Sequence, residues 1–306
     1  MANRAILVTG ANGRLGRALC RRIAEASPPR RVRALVRSER AARALSTLPE
    51  HARPEVAIAD YTEDAIAAQA SDCDAAVHLV GILKETRANR YADAHERPCR
   101  ALAAAADRCG LRRIVSLSIL GADADSPNAC LASRGRADAI LLAAKTPAAV
   151  IRVPMVLGAG DPASAALARQ ARGPNARLVR GGASLEQPIA ARDVVAALVA
   201  AVDRPGLDDA VLELAGRESL PHRALVERAA AVIGTQVAIG SIPAALAYAF
   251  AWIAERTSAD PPITRAMLGV LEHDDAIDPE PARAKLGIEL TPLDAALREA
   301  LAEEVR

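Results

Sequence analysis

The sequence predicts an α/β fold: a doubly wound parallel sheet with a smaller, mostly helical C-terminal domain. Three observations carry this. Short β-branched runs alternate with longer Ala/Leu/Arg segments through the first half of the 306 residues. The runs are mostly apolar, as strands covered by helices on both faces are. A Gly-rich turn, "VTGANGRLGRAL" (8–19), joins the first run to the first helical segment.

Taken in order, "AILVT" (5–9) is the first strand and the Leu- and Arg-rich segment 15–26 the first helix. A strand over 31–36 leads into a helix over 40–48, then a strand over 55–59 and a short helix over 64–70. A strand over 75–80 precedes a long helix over 91–109; the strand 113–117, helix 129–144 and strand 149–153 follow. Strict β–α alternation requires right-handed crossovers between parallel neighbours. After Pro154 the pattern loosens into the Gly/Pro-rich stretches "MVLGAGDPASAA" and "RGPNARLVRGGASLEQP". A helix over 190–202 returns to the sheet, with a further strand expected at 211–214. From Pro221 onward the chain reads as mostly helical, punctuated by Pro243, Pro261, Pro262, Pro279 and Pro281.

Composition narrows the function classes. The formal charge is +2, from 39 basic and 37 acidic residues, and aromatics are 2%. That offers neither the basic surface nor the stacking rings of a nucleic-acid binder. The five cysteines, at 20, 73, 99, 109 and 130, form no C-x-x-C, and the histidines show no ligand spacing, so no metal is expected. They read as reduced thiols. The N-terminus "MANRAILVTG" enters a strand directly, without a signal peptide, which predicts a cytoplasmic protein. The longest apolar run, 242–254, is too short to span a bilayer, which needs ~20 residues.

The chemistry begins at the first turn. Gly10, Gly13 and Gly16 are spaced G-x-x-G-x-x-G, with Asn12, Arg14 and Leu15 between them. Glycine permits the sharp turn, lets backbone approach a pyrophosphate and allows close helix–strand packing, while the helix N-terminus favours the anion. After the first strand of a βαβ unit, this spacing predicts a Rossmann-like dinucleotide site. The second strand ends in "ALVRSER", placing Arg37 where an acid would hold a ribose 2′-OH and an Arg would take a 2′-phosphate. Arg40 follows three residues on, and Glu39 does not end the strand. NADP(H) is therefore expected over NAD(H); the plainer reading makes Arg37 one more cation on an Arg-rich surface. Asp60 and Tyr61 follow the third strand at the adenine edge, and Val80 and Gly81 end the fourth, where a side chain would obstruct the cofactor. Residues 1–154 thus read as the dinucleotide-binding domain, its sheet completed by 187–215. Residues 155–186 and 216–306 form the smaller, substrate-side domain.

These motifs resemble the extended and atypical short-chain dehydrogenase/reductase superfamily. "TGANGRLG" (9–16) matches its Gly loop, "IVSLSILGAD" (114–123) resembles the strand carrying the active-site Ser, here Ser118, and "IRVPMVLGAGD" (151–161) places Pro154 near the nicotinamide. "QPIAARDVVAAL" (187–198) resembles a later element of the same superfamily. A narrower similarity covers almost the whole chain: "LVGILKETR", "QPIAARDV" and "PPITRAML…LGIELTPLDAAL" resemble the NADPH-binding accessory subunits of respiratory complex I and their bacterial relatives. That resemblance implies a structural dinucleotide and a partner in a membrane-associated respiratory complex, hence a position at the inner face of the membrane.

The resemblance fails at one place. The superfamily's Tyr-x-x-x-Lys pair transfers a proton during hydride transfer, and "NACLASRGRAD" (128–138) puts Cys130 at the Tyr and Arg134 at the Lys. Tyr61, Tyr91 and Tyr248 are followed four residues on by Ala65, His95 and Trp252, so no second copy exists. Loss of the general acid removes roughly 10²–10⁴ in rate. Arg134 can still hold a ribose hydroxyl, but Arg is a poor proton shuttle. Ser118 polarises or positions without supplying a proton. Three readings follow: a nucleotide-stabilised subunit or assembly factor, an active reductase or epimerase on a carbonyl or quinone, and a redox sensor. Finally, "IPAALAYAFAWIAERT" (242–257) carries Leu246, Phe250 and Ile253 at helical spacing beside Tyr248 and Trp252. It reads either as a helix packing its own domain or as a docking face, and it lacks a basic polar side.

Overall fold

The structure, a computed structural model, describes residues 4–302. Its first half runs β1 (Ala5–Thr9), α1 (Arg14–Ala24), β2 (Val32–Val36), α2 (Glu39–Ser46), β3 (Glu55–Ile58), α3 (Glu63–Ala70), β4 (Cys73–His78), α4 (Arg97–Cys109), β5 (Arg113–Ile119), α5 (Ala129–Leu142) and β6 (Ala148–Val153). Then come β7 (Val156–Leu157), α6 (Pro162–Arg172), β8 (Asn175–Val179), β9 (Leu185–Glu186), β10 (Ile189–Ala190), α7 (Ala191–Asp203) and β11 (Ala210–Glu213). The remainder is β12 (Leu220–Pro221), α8 (His222–Ile233), β13 (Ala238–Ile242), α9 (Ala244–Thr257), α10 (Arg265–Leu271), α11 (Glu280–Leu286) and α12 (Leu293–Ala300).

Seven strands form one sheet in the order β11-β6-β5-β4-β1-β2-β3, and every neighbouring pair is parallel. The order reverses between β1 and β4, and ligands of such sheets bind at the carboxyl edge beside that switch point. All five residues of β1 are buried, and its side chains alternate between two cores. Ile6 and Val8 join Leu19, Ile23, Val194, Leu198 and Leu286 on one face. Ala5 and Leu7 join Ile66, Leu102, Ala106 and Leu141 on the other. A strand buried on both faces is apolar at nearly every position, which is why β1 was visible in the sequence.

A third cluster joins Leu157, Leu167, Leu178, Leu225, Val226, Leu293 and Leu297 away from the sheet. There β8 pairs in parallel with β13, a ladder that joins a strand in the stretch read as Gly/Pro-rich to one in the part read as mostly helical. The helix expected over 91–109 is present, with a change of pitch near its start. Ala92–Glu96 is a single π-helical turn and α4 begins at Arg97 with Pro98 in its first turn. Proline lacks the N–H that an α-helical hydrogen bond would use there, which goes with the wider turn before it. The helix α9 corrects the packing reading of its apolar stripe: Ala251 and Ala254 turn inward, whereas Leu246, Phe250, Trp252 and Ile253 are 44–63% exposed. Among the described residues no helix is long and apolar enough to cross a membrane.

Candidate functional site

The Gly turn lies directly on the end of β4. Gly10 has φ +76°, and a Cβ there would meet the backbone of Leu79 and Val80 at 3.0–3.2 Å. The Gly13 N–H donates to Gly10 O at 3.1 Å. A Cβ at Gly16 would stand 2.5 Å from Gly10 O and 2.6 Å from the Ala11 Cα. Side chains are therefore excluded at Gly10 and Gly16 by backbone, which cannot yield as a side chain can. The first turn of α1 carries no acidic residue, so the positive end of the helix is not cancelled. Asn12 and Leu15 are half-buried, Leu15 packing on the core below. Arg14 reaches out of the turn and donates to Ala159 O at 3.0 Å. It lies over Gly160, where a side chain would overlap its guanidinium.

At the end of β2, Arg37 is exposed and its guanidinium lies 5.5 Å from the centre of the Tyr61 ring. The Tyr61 hydroxyl donates to Leu35 O at 3.4 Å, and burial raises its pKa above the usual phenol value. Ser38 caps α2 by accepting from Ala41 N. Arg40 and Asp60 are exposed close by in sequence. Among the described residues neither Arg37 nor Arg40 has a carboxylate partner. The β2 and β3 ends thus offer an open cationic corner.

The middle of the carboxyl edge differs from expectation. Arg134 reaches back from α5 and lies across Gly81, so a Cβ on Gly81 would overlap the guanidinium. The space kept open by this glycine is used by Arg134. Its Nη1 makes two long bonds, to Val80 O at 3.4 Å and Leu117 O at 3.5 Å. Its Nε is sealed from solvent with no partner, while the side chain as a whole stays part-exposed. Burial depresses the guanidinium pKa below its ordinary value. Beneath it, His78 accepts or donates through Nδ1 to Thr9 Oγ1 at 2.7 Å. His95 meets Ile82 N and O at 3.1 and 3.0 Å through Nε2. Among the described residues His78 Nε2 and His95 Nδ1 have no partner. Burial, then the Arg134 charge, push both rings down to about 3.

Ser118 is engaged elsewhere. Its hydroxyl donates to Asp138 Oδ2 at 3.1 Å, and the same oxygen accepts from Arg152 Nε at 3.0 Å. Burial raises the Asp138 carboxyl despite those two donors. Pro154 is half-buried just past β6.

Cys130 is fully buried, and Asn128, the cap of α5, fixes it by accepting from Cys130 N at 2.9 Å. Its thiol makes a long contact with Ile82 O at 3.9 Å. Over the thiol lies Tyr91, whose hydroxyl donates to Leu83 O at 2.8 Å and borders Cys130 and Thr264. The Tyr91 ring stacks on His95, centroids 5.5 Å apart, at the start of the π-helical turn. Burial raises both the Cys130 thiol and the Tyr91 phenol, so both stay protonated at neutral pH. Tyr91 also forms part of the wall of a cavity of about 930 Å³, with Arg87, Asn128, Tyr248, Thr264 and Arg265. That volume is ample for a small-molecule ligand.

These residues fit a dinucleotide: two backbone-limited glycines form the cradle, and the sealed Nε of Arg134 awaits an acceptor. A family model described as NAD(P)H-binding matches residues 10–205. The chain belongs to the NAD(P)H-binding family. It is similar to mitochondrial NADH dehydrogenase [ubiquinone] 1 alpha subcomplex subunit 9 of Arabidopsis thaliana, 31% identical over 149 residues. That match covers 47% of this chain and 36% of the relative, so the chain spans little more than a third of that relative's length. The UDP-glucuronic acid 4-epimerase of Bacillus cereus, solved with UDP-glucuronic acid and NAD, superposes with a TM-score of 0.74 at 16% identity. The superposition covers 99% of this chain and 100% of the epimerase. The UDP-N-acetylglucosamine 4-epimerase of Methanobrevibacter ruminantium superposes with a TM-score of 0.75 at 13% identity, covering 100% of this chain and 99% of the other. At such identities the likeness is one of fold alone.

Sequence reasoning missed Tyr91 over Cys130, Asp138 beside Ser118, and the His78–His95–Arg134 cluster. Each joins residues far apart in the chain. Only the Tyr91-x-x-x-His95 spacing, one turn of a helix face, was a local signal.

Proposed function

We propose that this protein binds NADP(H) as a structural ligand, without using it for hydride transfer. It would serve as a nucleotide-stabilised subunit or assembly factor of a respiratory or quinone-linked complex, cytoplasmic and peripheral at the inner face of the membrane. The observation that carries the reading is the sealed Cys130 thiol under Tyr91. Where the superfamily's reactive phenol belongs, this chain has a buried thiol, and a second aromatic side chain covers it. The likeness to a complex I subunit supports the choice of partner. In this reading Gly10, Asn12, Gly13, Arg14, Leu15 and Gly16 cradle the diphosphate, and Asp60, Tyr61, Val80 and Gly81 border the adenosine and ribose. Ser118 and Pro154 lie toward the nicotinamide. The third core around Leu167 and Leu225 supports treating 155–186 and 216–306 as a smaller domain.

Arg37 and Arg40, without carboxylate partners, support NADP(H) over NAD(H). Arg37→Glu should weaken NADPH by roughly 10- to 100-fold, the worth of one charge-assisted contact, while sparing NADH. Native mass spectrometry of the protein as purified should show retained NADP(H), and steady-state assays with quinones and carbonyls should show no NADPH consumption. Equal NADPH and NADH affinities before and after Arg37→Glu would sink the cofactor choice. Sustained turnover would sink the structural role and favour the second reading, a reductase or epimerase. The cavity of about 930 Å³ beside Tyr91 favours that alternative.

A further inference from the structure

Arg134 is a cation without a counter-ion. Among the described residues no carboxylate lies within ion-pair distance of it, and its bonds to Val80 O and Leu117 O are 3.4 and 3.5 Å long. The acids able to neutralise it are committed. Asp138 holds Ser118 and Arg152, and Glu96 holds Ser133, Arg136 and Arg100. Cys99 and Cys130 are thiols that burial keeps protonated, and His78 and His95 are neutral. Folding therefore leaves a partly desolvated charge uncompensated, an arrangement that favours any anion able to reach it.

The geometry shows where such an anion would stand. Gly10 packs within 3.0–3.2 Å of the Leu79–Val80 backbone, and the Arg134 guanidinium spans from Val80 O to Gly81. The guanidinium thus lies one residue along the same strand end from the turn whose N–H groups and helix dipole face an anion. The part-exposed character of Arg134, and the exposed Gly81 beneath it, leave its head open toward that edge. A ribose hydroxyl would satisfy an N–H but leave the charge in place, whereas a diphosphate satisfies both.

We infer that Arg134 neutralises the diphosphate of the bound dinucleotide across Gly81, and that this pairing makes the dinucleotide part of the folded structure. The inference rests on the nucleotide-binding reading above and names what the Lys-to-Arg difference does. A short, strongly hydrated ammonium is replaced by a longer planar fork, which suits phosphate oxygens better than proton transfer.

The test compares the wild-type chain with Arg134→Met, using calorimetric titration and thermal melting with NADPH, ADP-ribose and ADP. ADP keeps the diphosphate and lacks the second ribose. Arg134→Met should weaken ADP and ADP-ribose alike, by roughly 10- to 100-fold. The dinucleotide-free variant should melt higher than the dinucleotide-free wild type, because a buried unpaired charge has been removed. Arg134→Lys, which keeps the charge, should hold ADP within a few-fold of wild type, and it decides the matter if the Met variant does not fold. Unchanged ADP affinity with weakened ADP-ribose would place the guanidinium on the ribose and overturn the inference. A nucleotide-free Met variant that melts lower would overturn it as well. A wild type that binds none of the three probes would instead remove the nucleotide-binding reading, and the inference with it.

Discussion

Mild acid should destabilise this protein well before its carboxylates titrate, and two histidines set the amount. His78 lies in β4, bound through Nδ1 to Thr9, and His95 is stacked on Tyr91 with Nε2 on the Ile82 backbone. Each has one ring nitrogen buried without a partner. Burial first, and the Arg134 charge second, depress both to about 3 from the ordinary 6.5. As pH falls through 6.5 the unfolded chain takes up two protons that the folded chain refuses, so stability is complete above that pH and falls continuously towards 3. At pH 5, each histidine lies one and a half units below its unfolded pKa. At roughly 1.4 kcal/mol per unit the loss is about 2 kcal/mol each and about 4 kcal/mol together. A typical domain has ~5–15 kcal/mol in total. His273 works in the opposite sense, since hydrogen bonding to Asp275 raises it, but its partial exposure keeps that offset small.

The assay is urea unfolding followed by far-ultraviolet circular dichroism from pH 7.5 to 5. Extrapolated stability should fall by about 2.7 kcal/mol per unit below pH 6, at a constant urea slope. His95→Phe keeps the ring over Tyr91 and removes one titration, so it should halve that pH slope whatever it does to absolute stability. His78→Asn should do the same. A flat profile between pH 6.5 and 5, or an unchanged slope in both variants, would refute the reasoning.

Two substitutions probe the centre of the site. Gly81→Ala places a methyl group where the Arg134 guanidinium lies, so it should lower the melting temperature and weaken NADPH about tenfold. Gly81→Ala with Arg134→Met should recover the melting temperature, and a double variant no better than the single would show that the clash is not the cause. Restoring the superfamily pair as Cys130→Tyr with Arg134→Lys should give no NADPH oxidation with carbonyl substrates, because Tyr91 covers the position that the new phenol needs. Turnover by that double variant without any change at Tyr91 would contradict the account.

The sheet was legible because its inner strands β1, β2, β4, β5 and β6 are almost wholly buried, and the expected and observed strands differ by no more than two residues at either end. The strand 75–80 shifted to Cys73–His78, because polar Asp74 at its start looks like a loop residue until the parallel neighbours are known. The Gly turn was legible because backbone contacts forbid a Cβ at Gly10 and Gly16, a constraint that shows in the sequence itself. The β8–β13 ladder was not legible. Its strands have mixed burial, so neither shows a continuous apolar run, and their pairing joins Asn175 to Ala238. The stripe on α9 misled for a different reason: Leu246, Phe250 and Ile253 have helical spacing, but small Ala251 and Ala254 form the buried face. Periodicity locates a helix face without saying whether that face is the one covered.

The same limit governs function. The loss of the Tyr-x-x-x-Lys pair could be read along the chain, and by itself it argued only for impaired proton transfer. Space supplies what replaced each member. Tyr91, from the segment after β4, borders the Cys130 thiol, and burial raises both groups, so each keeps its proton and is a weaker donor than an ordinary phenol or thiol. At the other end, Arg134 puts a fixed charge beside the Gly turn, with Gly81 giving it room. Closing the acid and adding an uncompensated cation both act in one direction. They lower the capacity for proton transfer and raise the demand for a bound anion, which is the balance a retained dinucleotide requires.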